Sequence, residues 1–575
     1  MLTRIQRLRI KLFEAFRLSD PQAMLVWAAL AGFVGALATV AFRESIRGLQ
    51  WLVTGHSGSL VGMAKSLPWY FRMVLPALGG LLAGVFLELA RHGAGGRANS
   101  DYMEAISIGD GRIPVRQSVA RSISSLFSVA SGGSIGREGS MVQLSATCAS
   151  IIGRIAKFRT SRLRLLVACG SAAGITSAYN APIAGTLFVA EIVLGTIAME
   201  SFGPMLVASV IANITMREMA GYQPVYEMPP FPAVAGPEFL LFVGLGLFAG
   251  ILAPQFLRAL AFGKNAFSRV RLPLPARLCV GGLIVGALSV QVPEVWGNGY
   301  SVVNSLLHTQ WPWTLLLLTL AFKIVATAST AGSGAVGGIF TPTLFVGAVI
   351  GNLFGIAVHA LWPAATSAPF AYAIVGMGAF LAAASQAPLM AILMIFEMTL
   401  SYQVVLPLML AVVCAHVVAR SHDQPSMYTV TRHNNAAEKM WTRWHGLRIR
   451  DLVKEATPIL PMSASVDDVG KAFVDHPVRF VYVVDADNLF RGAISLQRFK
   501  PYLLHEGAIG QPTMDDLLQQ DFPRLTPNMP LGEALQHFLT HPGERLPVVE
   551  SVATPRLLGV VSKSDLLLRI QEIAY

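Results

Sequence analysis

Five long apolar runs recur along this chain, at Ala23 to Ala41, Val74 to Leu89, Phe239 to Leu260, Trp313 to Ala328 and Val404 to Val418. Several approach the roughly 20 residues that an α-helix needs to cross a bilayer. Shorter apolar runs between them are broken by Gly and Pro. Broken helices survive at membrane depth where their irregular backbone lines a cavity enclosed by protein, a pattern typical of transporters. Composition agrees: 53% of the 575 residues are hydrophobic and 13% charged, against about a quarter charged in soluble domains. The mean hydropathy is +0.55. A multi-pass membrane protein is expected.

The net charge of +11 does not point to nucleic acid, because the positive residues gather at membrane edges. Residues 1–20 read as an amphipathic cytoplasmic helix, with Ile5, Leu8, Phe13 and Phe16 on a face opposite Arg4, Arg7, Arg9 and Lys11. The positive-inside rule then keeps the N-terminus in the cytoplasm. The long first run and the lack of a small-residue cleavage pattern argue against a cleaved signal peptide. Cys148, Cys169, Cys279 and Cys414 lie in apolar runs without CxxC spacing, so they read as packing residues, with no disulfide or metal site.

Two internal repeats are legible. Asn180-Ala181-Pro182 leads into an apolar segment ending at Glu191, and Gln386-Ala387-Pro388 into one ending at Glu397. The earlier parts of the two halves, about 21–220 and 236–435, align Gly136-Arg137-Glu138 with Gly338-Ile339-Phe340. Duplicated membrane units with Gly-rich interruptions at matching places put a binding site between the halves. Glu138 stands out there, as an acid between glycines in an apolar stretch, where a charge is costly and commonly lines an ion path. Flanking glycines let N–H groups approach an ion, and a helix that starts there points its positive end at an anion. Local sequence leaves a surface ion pair with Arg137 equally open.

After about residue 435 the composition turns soluble, and a second duplication appears at about 446–505 and 510–575. Val481-Tyr482-Val483-Val484 leads to Gly492-Ala493-Ile494-Ser495, and Leu546-Pro547-Val548-Val549 to Gly559-Val560-Val561-Ser562. Each pair reads as strand, turn and strand running into a helix. The expected fold class is an all-α polytopic membrane region (21–435) of two repeated halves, taken as inverted, with discontinuous helices, plus a C-terminal α/β domain.

With these motifs assembled, the chain resembles the CLC family of chloride channels and proton-coupled chloride transporters, in the pattern of its bacterial ClcB-type branch, with a C-terminal CBS pair. Gly136-Arg137-Glu138-Gly139-Ser140 is similar to the family's GREGP motif with Ser140 replacing Pro, Gly337-Gly338-Ile339-Phe340-Thr341-Pro342 to its GxFxP motif, and Tyr428 to its membrane-exit tyrosine. The resemblance implies that Glu138 is a gate whose carboxylate competes with chloride. It also implies that N–H groups around Gly136, Arg137, Gly139, Ile339 and Phe340, with the Tyr428 hydroxyl, face the anion. No GSGIP turn exists, and the family's spacing assigns its serine donor to Ser100. Proton-coupled members carry a second acid after the Asn-Ala-Pro helix, but here Glu191 is followed by Ile192, which cannot carry a proton. Glu191 and Glu397 then read as structural helix-end residues.

The resemblance further implies a homodimer with one pore per subunit in the inner membrane, both termini cytoplasmic, with chloride as the transported ligand and no required cofactor. In the tail, Ser562 and Asp565 keep the ribose-binding pattern of nucleotide-binding CBS modules, while Arg498 replaces the acid in the first repeat. At most one adenine-nucleotide site is implied, and both residues also suit plain helix caps. Passive, Glu138-gated chloride conduction is the expected function. The alternatives are a proton-coupled antiporter with a non-standard internal proton path and a CBS-linked divalent-cation transporter, which would need converging oxygen ligands that this membrane region has few acids to supply. The chain carries no HExxH, GxSxG, Walker-type loop or Cys/His nucleophile pairing, which argues against an enzyme.

Overall fold

A computed structural model describes residues 20–55, 58–92, 101–221, 226–227, 229–232, 234, 236–421, 426–428, 448–504, 512–541 and 543–574. The expected N-terminal amphipathic helix and Ser100 lie outside these residues. The chain forms two compact units, Met1–Arg432 and His433–Tyr575.

The first unit is helical. Its first half contains α1 (Asp20–Thr54), α2 (Leu60–Ser66), α3 (Trp69–His92), α4 (Tyr102–Ser107), α5 (Val115–Ala130), α6 (Glu138–Ile155), α7 (Thr160–Tyr179), α8 (Pro182–Leu187) and α9 (Met199–Ala220). A π-helical continuation, Phe188–Leu194, extends α8. The second half contains α10 (Phe239–Arg269), α11 (Leu274–Gln291), α12 (Tyr300–His308), α13 (Trp313–Ser333), α14 (Phe340–Leu361), α15 (Pro369–Ser385), α16 (Pro388–Thr399) and α17 (Val405–Ser421). Among the described residues, eight helices are long and apolar enough to cross a membrane.

Apart from α2, the elements match one to one, and so do their packings. The α1–α9, α6–α7 and α7–α8 contacts of the first half recur as α10–α17, α14–α15 and α15–α16 in the second. The same residue chemistry produces the same break in both copies. α7 ends on Asn180 and α15 on Gln386, each left-handed at φ 57°, and each next helix restarts with proline in its first turn, where a missing N–H costs nothing. The main core joins α6, α7, the α8 segment, α14 and α15 through residues such as Val142, Ala172, Phe188, Phe340 and Phe380.

The second unit is α/β, with three helices used below: α18 (Val466–Asp475), α19 (Leu496–Leu504) and α22 (Lys563–Ala574). The last follows α20 (Met514–Leu517) and α21 (Leu531–Thr540). Strand β1 (Ile459–Pro461) runs parallel to β2 (Phe480–Val484), which pairs antiparallel with β3 (Phe490–Ser495). Strand β4 (Arg545–Val549) pairs antiparallel with β5 (Leu557–Ser562). The duplication extends to detail: Phe480 faces Ser495 as Arg545 faces Ser562, and both hairpins shift register at the same place, Val483/Val484 and Val548/Val549. A helix follows each hairpin directly, α19 and α22, as the alternating patterns predicted. Ser465 caps α18 in a capping box with Asp468.

Candidate functional site

The two glycine-rich turns meet at one point. Gly136 N–H donates to the Gly338 carbonyl at 2.7 Å and Gly338 N–H to the Gly136 carbonyl at 2.8 Å, an isolated antiparallel bridge between the halves. Such reciprocity is what an approximate two-fold relation between repeats produces. Glu138 and Phe340, aligned in the sequence, are accordingly the first residues of α6 and α14. First-turn N–H groups have no intrahelical acceptor, so two helix starts converge here. Gly136, expected among the donors facing an anion, instead uses its N–H on Gly338, because the turns pair with each other.

Glu138 is 3% exposed. Its Oε1 accepts from the Thr341 hydroxyl at 2.5 Å and from the Tyr300 phenol at 3.3 Å. Tyr179 OH lies 3.0 Å from Thr341 Oγ1. The other oxygen, Oε2, has no hydrogen-bond partner among the described residues and lies over the glycine bridge. A Cβ at Gly136 would overlap it, which is why the turn needs glycine there. Arg137, open in the sequence as an ion-pair partner, has no salt bridge to Glu138. It lines a cavity of about 850 Å³ with Glu44, Arg47, Trp296, Asn298 and Tyr300. This cavity therefore reaches both the residue before Glu138 and a phenol that holds its carboxylate.

On from Thr341 runs an aromatic series. Tyr179 lies 4.9 Å from Phe340 between ring centroids, Phe340 lies 6.3 Å from Phe188, and Phe188 meets Tyr428 edge-on at 5.3 Å. Tyr428 is carried by Met427 N–H on the Ala384 carbonyl and Ser426 Oγ on the Ser385 carbonyl. Glu138, Phe340 and Tyr428 thus belong to one connected cluster, joined by Tyr179 and Phe188. Asp101 stands immediately before α4, as its N-cap residue, and its side chain makes no capping hydrogen bond. Ile192 is buried in the core on the π-helical continuation of α8.

The two repeat glutamates are structural and reciprocal. Glu397 accepts from Ile183 N–H (3.0 Å) and Ala184 N–H (2.8 Å) at the start of α8, while Glu191 accepts from Leu389 (3.4 Å) and Met390 (2.8 Å) at the start of α16. Each carboxylate caps the other repeat's helix, the charge sign that a helix N-terminus favours. Replacing Glu397 with Ala is expected to lower stability by about 1–2 kcal/mol, the usual cost of a lost cap. Thermal unfolding of the detergent-solubilised protein should show this, with chloride efflux per molecule unchanged. Efflux abolished in correctly folded Glu397→Ala would contradict the structural assignment.

Two parts of the site escaped the sequence reading. Tyr179 and Thr341 adjoin motifs that were noted, but a hydroxyl gives no signal until its partner is known. Tyr300 is placed by Gly299, whose φ of +98° turns the chain into α12. Lys323 left a visible trace, as a lone cation inside the apolar run from Trp313 to Ala328. It is 0% exposed and donates to the carbonyls of Val295 (2.9 Å) and Gly297 (2.7 Å), with its ammonium 5.4 Å from the Phe345 ring centre. Those carbonyls flank Trp296, and the same loop continues through Asn298 to Tyr300, so Lys323 braces one wall of the cavity.

In the second unit, Asp565 accepts from Lys454 Nζ (2.9 Å) and from Ser562 Oγ (2.7 Å), and its N–H donates back to Ser562 Oγ (3.0 Å). Lys454 first, and then Ser562, hold the carboxyl below the usual aspartate range. Ser562 thus caps the start of α22.

A sequence model described as "Voltage gated chloride channel" matches residues 79–420, and one described as "CBS domain" matches residues 514–572. A "Putative chloride channel protein ClcB-like" from Ralstonia nicotianae is 56% identical over 409 residues, covering 70% of this chain and 95% of that relative. A "Voltage-gated ClC-type chloride channel ClcB" from Salmonella dublin is 40% identical over 414 residues, covering 70% and 97%. Among solved structures, "a slow cyanobacterial Cl-/H+ antiporter" aligns with a TM-score of 0.64 at 26% identity, over 73% of this chain and 99% of that one. With the paired glycine turns, the buried glutamate between them and matches of this extent, the chain belongs to the voltage gated chloride channel family.

Proposed function

We infer that this chain conducts chloride passively, in the manner of a channel, with Glu138 as the gate. The observation that carries the reading is the seat of the Glu138 carboxylate: it stands where two helix starts meet, hydroxyls donate to it and, among the described residues, no cation pairs with it. Partial charges of this kind hold an anion without trapping it, which conduction requires. Phe340, Ile339, Gly139 and Tyr428 lie along the same path, and Gly136 contributes the bridge beneath it. The passive part of the reading rests on Ile192, a buried hydrocarbon where proton-coupled relatives are expected to carry an acid.

Proton-coupled exchange is the second reading, favoured by the string of hydroxyls from Tyr179 through Thr341 to Glu138 and by the antiporter among the structural neighbours. Reconstituted vesicles separate the two. Imposed chloride gradients are expected to drive chloride efflux with little or no proton movement. A reversal potential shifting with pH in a fixed chloride-to-proton ratio would refute the passive reading.

The same reading makes the protein a transport protein of the inner membrane, with cytoplasmic termini, and a homodimer with one pore in each subunit. Exposed apolar residues on α8, α9, α16 and α17, including Ile183, Ile214, Leu389 and Leu406, supply a face suited to a second copy. An adenine nucleotide at Ser562 and Asp565 stays within the proposal, with Lys454 as the group it would displace from Asp565.

A further inference from the structure

The short turn between α6 and α7 concentrates positive charge. No Asp or Glu occurs between Glu138 and Glu191, and the cations of that stretch, Arg154, Lys157, Arg159, Arg162 and Arg164, all fall within 154–164. Arg164 turns inward, its guanidinium donating to the carbonyls of Ile106 (2.6 Å) and Ser107 (2.5 Å). The other four are exposed. Among the described residues no acid pairs with Arg154, Lys157 or Arg159. Asp110, in the turn whose Gly111 packs on Leu163 and Arg164, pairs with Arg112 instead. The charge of the α6–α7 turn is therefore uncompensated by its neighbours.

Backbone hydrogen bonds fix the shape of this turn. Ala156 N–H donates to the Ile152 carbonyl (2.9 Å), Lys157 N–H to Arg154 (3.1 Å) and Phe158 N–H to Gly153 (3.0 Å), and Lys157 is left-handed at φ 54°. Helix ends commonly put glycine in that conformation, because a Cβ is crowded there. A lysine accepts a backbone cost that a purely structural turn would avoid. Beside the cations lies an apolar rim: Trp27 meets Phe158 edge-on at 5.5 Å, both are half-buried, and Ile155 is exposed. Aromatic pairs of this kind sit at membrane–water interfaces. Trp27 stands near the start of α1, so the turn lies on the side of the basic N-terminal segment, which the positive-inside rule makes cytoplasmic.

We propose that the α6–α7 turn, through Arg154, Lys157 and Arg159, binds the phosphate of an anionic phospholipid headgroup in the cytoplasmic leaflet. Cations gathered between membrane helices on that side recognise such headgroups, and guanidinium groups match phosphate oxygens in geometry as well as charge. The Trp27–Phe158 pair sets the turn at headgroup depth. The site lies at the opposite end of α6 from Glu138, so it is independent of how Glu138 acts. It takes from the proposed function only the cytoplasmic N-terminus.

The test uses the full chain in phosphatidylcholine nanodiscs with or without phosphatidylglycerol. A lipid that binds only the folded chain stabilises it, so the wild type is expected to unfold at a higher temperature when phosphatidylglycerol is present. Arg154→Gln/Arg159→Gln should lose most of that rise. Arg269→Gln/Arg271→Gln removes the same charge from another exposed place and should keep it. Lys157→Gly separates the site from the fold: it relaxes the left-handed turn, so its unfolding temperature should increase in phosphatidylcholine while its response to phosphatidylglycerol shrinks. Native mass spectrometry of the detergent-solubilised chain reads lipid retention directly, and stands in if Arg154→Gln/Arg159→Gln is too unstable for nanodiscs. There the wild type should retain phosphatidylglycerol through activation that strips it from Lys157→Gly. Equal responses to phosphatidylglycerol in the wild type and Arg154→Gln/Arg159→Gln would overturn the proposal. An equal loss in Arg269→Gln/Arg271→Gln would overturn it too, by showing general surface attraction. So would inorganic phosphate that stabilises the chain in detergent as much as phosphatidylglycerol does, because the cations would then hold a free anion rather than a lipid.

Discussion

Glu138→Ala is expected to leave chloride efflux intact and to raise the apparent chloride affinity by roughly tenfold or more. The argument is competition. The carboxylate is buried, receives two hydroxyl donors and lies where two helix starts converge. Hydrogen bonds to a charged group contribute about 1.5–3 kcal/mol each, and every 1.4 kcal/mol is about tenfold in occupancy. Removing that occupant frees its position for the anion. Glu138→Gln keeps an acceptor for Thr341 and Tyr300 but no charge, so it should fall between the wild type and alanine in affinity. Chloride efflux from vesicles, with chloride titration calorimetry, measures both effects. Unchanged chloride affinity in both variants would remove Glu138 from the gating role.

The second large effect is structural. Lys323→Ala is expected to destabilise the first unit strongly, leaving the buried carbonyls of Val295 and Gly297 without donors, at about 1–3 kcal/mol for each. It also opens a cavity beside Phe345. Lys323→Met fills the space with an apolar chain of similar length, so it isolates the hydrogen bonds from the packing. It should be less destabilising than alanine, with lower thermal stability than wild type. Because the braced loop carries Asn298 and Tyr300, correctly folded Lys323→Met should also show altered chloride efflux. Thermal unfolding in detergent, followed by efflux of the surviving fraction, reads the two consequences separately. A methionine variant as stable and as active as wild type would mean that the lysine has no bracing role. Ionisable residues in membrane spans are rare and pair with one another or with backbone carbonyls, as Lys323 does.

Periodicity and composition carried the reading far. The spans near Phe239 and Trp313, the paired Ala-Pro restarts and the strand-turn-strand repeats of the tail all reappear as helices and hairpins close to the expected positions. These features are local: an apolar run, a left-handed cap before proline or an alternating strand depends on near neighbours in the chain. The alignment of Glu138 with Phe340 is also visible in sequence because duplication leaves matched letters. Contacts across the chain leave no such mark. Thr341 and Glu138 are 203 residues apart, and Tyr300 and Glu138 are 162 apart, so no window of sequence contains a pair. The partner of the Gly136 N–H is hidden for the same reason, since its acceptor, Gly338, comes from the other half.

What the sequence alone determined is a duplicated, broken-helix membrane protein with one conspicuous acid at a glycine turn and a duplicated α/β tail. Hydrophobic periodicity and backbone stereochemistry are enough for that, because each acts over a few residues. What only the tertiary structure decided is the state of that acid. Folding set its partners as hydroxyls rather than the adjacent Arg137, joined the two glycine turns by reciprocal hydrogen bonds and crossed Glu191 and Glu397 onto each other's helices. Burial removes water as a competing partner, so the identity of the few groups brought within hydrogen-bond reach determines whether a carboxylate is a surface ion or the occupant of an anion's position.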